Sequence, residues 1–146
     1  MAVNETTVGV PPEEVFALFA DGKLYADWVV GAKRIRSVDP TWPQVGSKLY
    51  HTVGVGPIEV KDNTQVLELA EPETIVLLAR FRPIGRAQVE LTVTSGSEAG
   101  SSRVRMTEEL VRAPKWLKKL LDPTIHARNA EALRRLRELL EEQPDG

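Results

Sequence analysis

Four side chains break an otherwise apolar pattern, and they are the ones equipped to do chemistry. His51 shares its strand parity with Leu49, Val53 and Val55, Asp62 with Ile58, Val60 and Val66, and Glu108 with Val104, Met106 and Leu110. Asn129 falls in the middle of a helical stripe formed by Ile125, Ala132, Leu133, Leu136 and Leu140. A buried polar group without a partner costs about 1–3 kcal/mol, so each of the four needs a partner inside the fold or a ligand. His51 is the natural proton carrier, because an imidazole titrates at about 6.5. Glu108 on an apolar wall is open to desolvation, which would raise its pKa and suit it to acid or base work. His51 and Glu108 are therefore the catalytic candidates. Structural readings stand beside these roles. His51 lies near a strand end, where it can be satisfied or edge-exposed; a bulge would turn Asp62 outward. Glu108 at a cavity mouth would bond to His51 or to an arginine, and Asn129 to a loop carbonyl.

Other chemistries find little support. The chain has no cysteine, which removes disulfides, thiolate nucleophiles and cysteine zinc sites. His51 and His126 are the only histidines, and His126 projects to the edge of the last helical segment, so neither a metal nor another cofactor is expected. Gly54-Val55-Gly56 reads as a hairpin, since it lacks the helix and lysine of a phosphate loop. No serine sits in a Gly-x-Ser-x-Gly elbow. Trp28 is either a core aromatic or a platform for a ligand.

These residues need elements to hold them. Ala2–Val10 reads as a first strand; Pro11-Pro12-Glu13-Glu14 opens a helix with Val15, Leu18 and Phe19 on one face, and a second short helix runs from Lys23 to about Val29. Six strands follow, at Ala32–Val38, Lys48–Val55, Ile58–Leu69, Thr74–Arg82, Arg86–Thr94 and Ser102–Leu110. Short Gly-, Pro- and Ser-rich connections make them an antiparallel meander. Ala113–Leu121 reads as a short lead-in helix with Trp116, Leu117 and Leu121 as its apolar positions. Asp122-Pro123 then supplies an N-cap and first-turn proline for a final helix ending near Glu142.

One face of that sheet is apolar. Val89, Leu91 and Val93 alternate with Gln88, Glu90 and Thr92, and Val104, Met106 and Leu110 alternate with Arg103, Arg105 and Glu109. Ile75, Leu77, Ala79 and Phe81 lie opposite Arg80 and Arg82. A greasy face must be covered, and the terminal helix is the one element long enough to cover it. A curved sheet and a straight helix complement each other poorly. With 5% aromatics the inner face is expected to leave a hollow walled by Trp28, Leu77, Ala79, Phe81, Val89 and Leu91, then Val104, Met106, Ile125 and Leu133.

In that order of elements the chain resembles the SRPBCC superfamily of helix-grip proteins, which includes START-type lipid carriers, birch-pollen-allergen relatives and polyketide cyclase/dehydrase-like proteins. The resemblance rests on Val10-Pro11-Pro12-Glu13-Glu14-Val15-Phe16-Ala17-Leu18-Phe19, the Trp28 segment ending at Gly31, and Arg103-Val104-Arg105-Met106-Thr107-Glu108. The closing Arg128-Asn129-Ala130-Glu131-Ala132-Leu133-Arg134-Arg135-Leu136 is similar to the final helix of the polyketide-cyclase-like branch. It implies an α+β helix-grip fold: about seven antiparallel strands curved round a long C-terminal helix, with two short helices after the first strand. Function does not follow from such a fold, which hosts carriers, receptors and enzymes.

At 146 residues the whole chain is expected to form one domain. A formal charge of -2 with both signs interspersed argues against a nucleic-acid partner. No apolar run approaches the roughly 20 residues of a membrane span, and the N-terminus lacks the pattern of a signal peptide, so a cytoplasmic monomer or homodimer is expected. Three functions stay open. The favoured one is binding of a hydrophobic or amphipathic small molecule such as a lipid, a polyketide or an aromatic metabolite. The second is a cyclase, aromatase or dehydratase in which His51 or Glu108 moves protons. The third is a partner-binding module with a filled core.

Overall fold

The computed structural model describes residues 1–30, 32–55, 57–81 and 85–142, and of Val55 and Phe81 the backbone alone. The chain opens with β1 (Ala2–Val8) and α1 (Pro12–Ala20), whose first turn carries Glu13 and Glu14. Carboxylates there complement the positive end of the helix dipole. The expected second helix divides into a 3-10 turn at Gly22–Leu24, where the Asp21 side chain accepts from the Lys23 amide at 3.2 Å, and α2 (Tyr25–Trp28). Six strands follow: β2 (Ala32–Val38), β3 (Lys48–Val55), β4 (Ile58–Ala70), β5 (Thr74–Phe81), β6 (Gly85–Ser95) and β7 (Ser102–Leu110). α3 (Lys115–Glu141) closes the chain.

All seven strands join one antiparallel sheet in the order β1-β7-β6-β5-β4-β3-β2. The meander is as the connections foretold, and β1 returns to pair with the last strand, Ala2 opposite Glu108. α3 lies across the inner face. Its buried side chains are Ile125, Asn129, Ala132, Leu133, Leu136 and Leu140, the stripe read from the sequence. This is the α+β helix-grip architecture.

Several sequence readings are corrected. The lead-in helix and the final helix are one helix of 27 residues, with Pro114 at its N-cap position and Pro123 inside it. Proline costs the helix the bond to the Lys119 carbonyl. Both Pro123 and Lys119 are exposed, so water can meet that carbonyl. Asp122, expected as a cap, instead takes the Met1 ammonium at 3.0 Å. Trp116 is 67% exposed rather than an inward position of a short helix, because the longer helix turns it away from the sheet. Ile58 keeps the parity of Asp62 in a regular ladder, but at the β3–β4 turn it lies beyond the covered part of that face and is 69% exposed. β5 is buried on both faces: Val76 and Leu78 on its outer side stand opposite Glu68, Glu90, Gln65 and Gln88, whose aliphatic stems flank them. Gly31, Gly56 and Arg82–Ile84, expected as a helix end and hairpin positions, lie outside the described residues, as do Gln143–Gly146.

The apolar interior forms two clusters. The larger gathers α1, α2 and most of the sheet around Leu133, Leu136 and Leu140 of α3; the smaller holds Ala2, Ala87, Leu110 and Ile125. Along β7, Met106 belongs to the first and Leu110 to the second, with Glu108 between them. Along α3 the residue between is Asn129. A polar band crosses the core.

Candidate functional site

The band is assembled from six elements: β7, α3 and β1 on one side, β3, β4 and α2 on the other. β7 turns Glu108 inward, where it is 3% exposed, and α3 meets it with two donors. Arg128 Nη2 donates to Glu108 Oε2 at 2.5 Å, and Asn129 Nδ2 donates to Oε1 at 3.2 Å. The arginine is the kind of partner expected for Glu108, and Asn129 bonds across the core instead of to a loop. Asn4 of β1 extends the band: its Nδ2 donates to the His126 carbonyl of α3 at 3.1 Å.

On the other side of the interior, β3 and β4 pair His51 directly with Asp62, and both are 3% exposed. The β4 irregularity falls between Val66 and Glu68, so the ladder at Asp62 is regular and its side chain stays on the inner face. Asp62 Oδ1 accepts from the Asn63 amide at 2.9 Å, and Arg36 of β2 spans the His51 and Asp62 carbonyls at 3.3 and 3.1 Å. His51 Nε2 bonds Thr64 Oγ1 at 2.9 Å, and the Tyr25 hydroxyl bonds that same oxygen at 3.3 Å. The Tyr25 ring lies nearly parallel to the imidazole, 10° between planes with centroids 5.9 Å apart. Trp28, one helical turn on, meets the Tyr25 ring edge-on at 5.8 Å.

Electrostatics sets the protonation of this set. Burial pushes His51 down from 6.5 to about 4, partly offset by the Asp62 carboxylate and reinforced by the Arg36 guanidinium. The imidazole is therefore neutral at ordinary pH. Burial likewise pushes Tyr25 up to about 12; the Thr64 hydrogen bond works against that rise, Glu108 adds to it and Arg128 opposes it. Tyr25 keeps its hydroxyl proton and senses the Glu108–Arg128 pair, which ties the two halves of the band together.

Four buried side-chain atoms have no hydrogen-bond partner among the described residues: His51 Nδ1, Trp28 Nε1, Asn4 Oδ1 and Thr52 Oγ1. Trp28 is 2% exposed and packs on Phe19 and Tyr25, and its indole N–H is unmet. By contrast Trp42 Nε1 donates to the Phe19 carbonyl at 3.2 Å. Of the expected walls, Leu77, Val89, Leu91, Val104, Met106, Leu133 and Trp28 share one cluster and Ile125 belongs to the other. Ala79 behaves differently. It lies on β5, in the middle of the sheet, in the inner row Thr64–Ala79–Ala87, but is only half-buried, so open space adjoins it. The side chain of Phe81 lies outside the described residues.

Sequence parity did not single out Tyr25, Thr64 or Arg128. Thr64 was findable, since it shares the face of Asp62 and Val66. Among the described residues no cluster of three or more His, Asp or Glu is arranged to hold a metal ion. No helix is long and apolar enough to cross a membrane. Two open depressions, of about 380 and 480 Å³, lie by β6–β7 and beside β2, the second lined in part by Arg36.

The chain belongs to the family described as "Polyketide cyclase / dehydrase and lipid transport", which matches residues 2–141. Searching the curated proteins by sequence returns no match. Solved structures with this fold include a protein of unknown function, SA2116, from Staphylococcus aureus, at 14% identity and a TM-score of 0.72, covering 95% of this chain and 93% of that one. The di-domain ARO/CYC StfQ from the steffimycin biosynthetic pathway superposes with a TM-score of 0.70 at 12% identity, over 96% of this chain and 50% of that one. Ara h 8.0201 does so with a TM-score of 0.66 at 16% identity, over 94% and 95%. At such identities the likeness is one of fold.

Proposed function

We propose that this chain binds an apolar small molecule bearing a carbonyl or similar acceptor oxygen, held between the sheet and α3 against the polar band. The observation that carries the reading is that two of the four unmet polar atoms, His51 Nδ1 and Trp28 Nε1, lie on nearly fully buried residues that both pack on Tyr25. Tyr25 retains its proton and has Thr64 as its hydrogen-bond partner; donating to Thr64 lets that hydroxyl donate on to His51 Nε2. The imidazole proton then resides on Nδ1, and both unmet groups are N–H donors. A ligand acceptor oxygen would satisfy them, and leaving them bare would cost about 1–3 kcal/mol each. The accessible Ala79 beside Thr64 supports room for the ligand's body.

The chemistry of the band favours holding over turning over. A general base works best with a pKa near the working pH, and His51 is displaced to about 4. Both Glu108 oxygens are engaged by α3. A second reading, a cyclase or dehydratase acting on a poly-ketone, draws on the family's description and on the superposition with an aromatase/cyclase domain. In that case the band would act by orienting carbonyls, with His51 and Glu108 the residues to test.

Native mass spectrometry of freshly purified protein against its denatured mass tests the binding reading. The expected result is a bound apolar compound containing carbonyl or hydroxyl oxygen, lost or weakened in His51→Leu. An empty protein that also fails to bind a hydrophobic dye would overturn it and favour a filled core.

A further inference from the structure

One face of α3 is apolar, exposed and unused by the fold. Trp116 and Leu120, one turn apart, are 67% and 65% exposed. At 100° per residue Trp116 stands diametrically opposite the buried Ile125, and exposed Pro123 and Ala127 continue the same outward stripe. Half-buried Leu117 borders it on one side. Exposed Lys115 and Lys119 border it on the other, with no ion pair among the described residues. Arg112 and Lys118 lie close by in sequence, and Lys118 reaches Glu109 at 3.5 Å. Of the five cations in residues 111–128 of a chain of formal charge -2, Arg128 is paired with Glu108 and Lys118 with Glu109, which leaves Arg112, Lys115 and Lys119 to give this face its charge. The positive charge is concentrated where the large apolar side chains are bare.

We propose that the first half of α3 docks on an anionic membrane surface. Indole rings favour the headgroup boundary, leucine the acyl edge, and lysine stems lie along apolar surface while their ammonium groups reach phosphate. Charge complementarity selects anionic lipid over a neutral bilayer. A protein of net negative charge has no general attraction to such a surface, so the local cationic border supplies it. The docking face points away from the polar band, and its use is independent of what the interior holds.

The test is co-flotation of the full chain with vesicles of phosphatidylcholine containing 30% phosphatidylserine, against phosphatidylcholine alone. The expected result is binding to the anionic vesicles at least tenfold stronger than to the neutral ones, with a blue shift of Trp116 emission. Trp116→Ser/Leu120→Ser is expected to lower that binding tenfold or more. Lys115→Ala/Lys119→Ala should weaken it and flatten its salt dependence. All four positions are exposed, so circular dichroism is expected to stay unchanged. No partition to either vesicle, or equal partition to both, would overturn the proposal. So would concentration-dependent self-association abolished by Trp116→Ser, which would show a second copy covering the face.

Discussion

Protonating His51 in the folded protein buries a positive charge in a nearly closed space, a cost that the Asp62 carboxylate only partly offsets and the Arg36 guanidinium adds to. The unfolded imidazole takes its proton near 6.5, whereas the folded one resists until about 4. Between those values the unfolded chain binds more protons, so stability falls as pH drops through the window and the loss levels off below it. The shift corresponds to about 3 kcal/mol at most. His51→Gln is expected to flatten this part of the profile; urea unfolding of both proteins from pH 4 to 7 gives the comparison, since the remaining carboxylates titrate in each. Parallel curves would remove His51 as the cause. At this scale the sequence was informative about inward direction: parity placed His51, Asp62 and Glu108 inside, and helical projection placed Asn129. It was silent on partners. Arg128 follows Ile125 at helical spacing that leaves it at the edge of the stripe, and only the docking angle of α3 brings its guanidinium to Glu108. Tyr25 reaches Thr64 across 39 residues of sequence, a separation no local pattern encodes.

The elements were legible where the chain punctuates itself. Strands β2, β3 and β7 have the bounds read from their Gly, Pro and Ser boundaries. α3 was misjudged because Asp122-Pro123 has the chemistry of a helix start, while the turns before it have helix-forming residues of their own. Burial of Ile125 and Leu133 on the same side as half-buried Leu121 holds the two halves as one helix. The missing Lys119 carbonyl bond then becomes a local weakness at an exposed site. Pro123→Ala is expected to raise stability by about 1 kcal/mol or more, because the restored bond and lost ring clash outweigh the greater freedom of the unfolded chain. Thermal unfolding would show it as a higher Tm. An unchanged or lower Tm would mean that the helix has absorbed the proline without cost.

For the molecule as a whole, the sheet and α3 bring polar residues from distant segments into a band that splits the core in two. A stability-driven core would fill these positions with leucine and valine, as the neighbouring rows do. The band keeps a buried ion pair and unmet polar atoms on His51, Trp28 and Asn4 instead, and the proposed ligand oxygen would give that arrangement a use. The most direct measurement is the indole N–H spectrum of the three tryptophans during titration with the compound extracted from the protein or, where it purifies empty, with anilinonaphthalene sulfonate. Trp42, already bonded to the Phe19 carbonyl, serves as the internal reference. The account predicts that the Trp28 indole proton shifts on binding while that of Trp42 holds still. Binding that leaves Trp28 unmoved would contradict it.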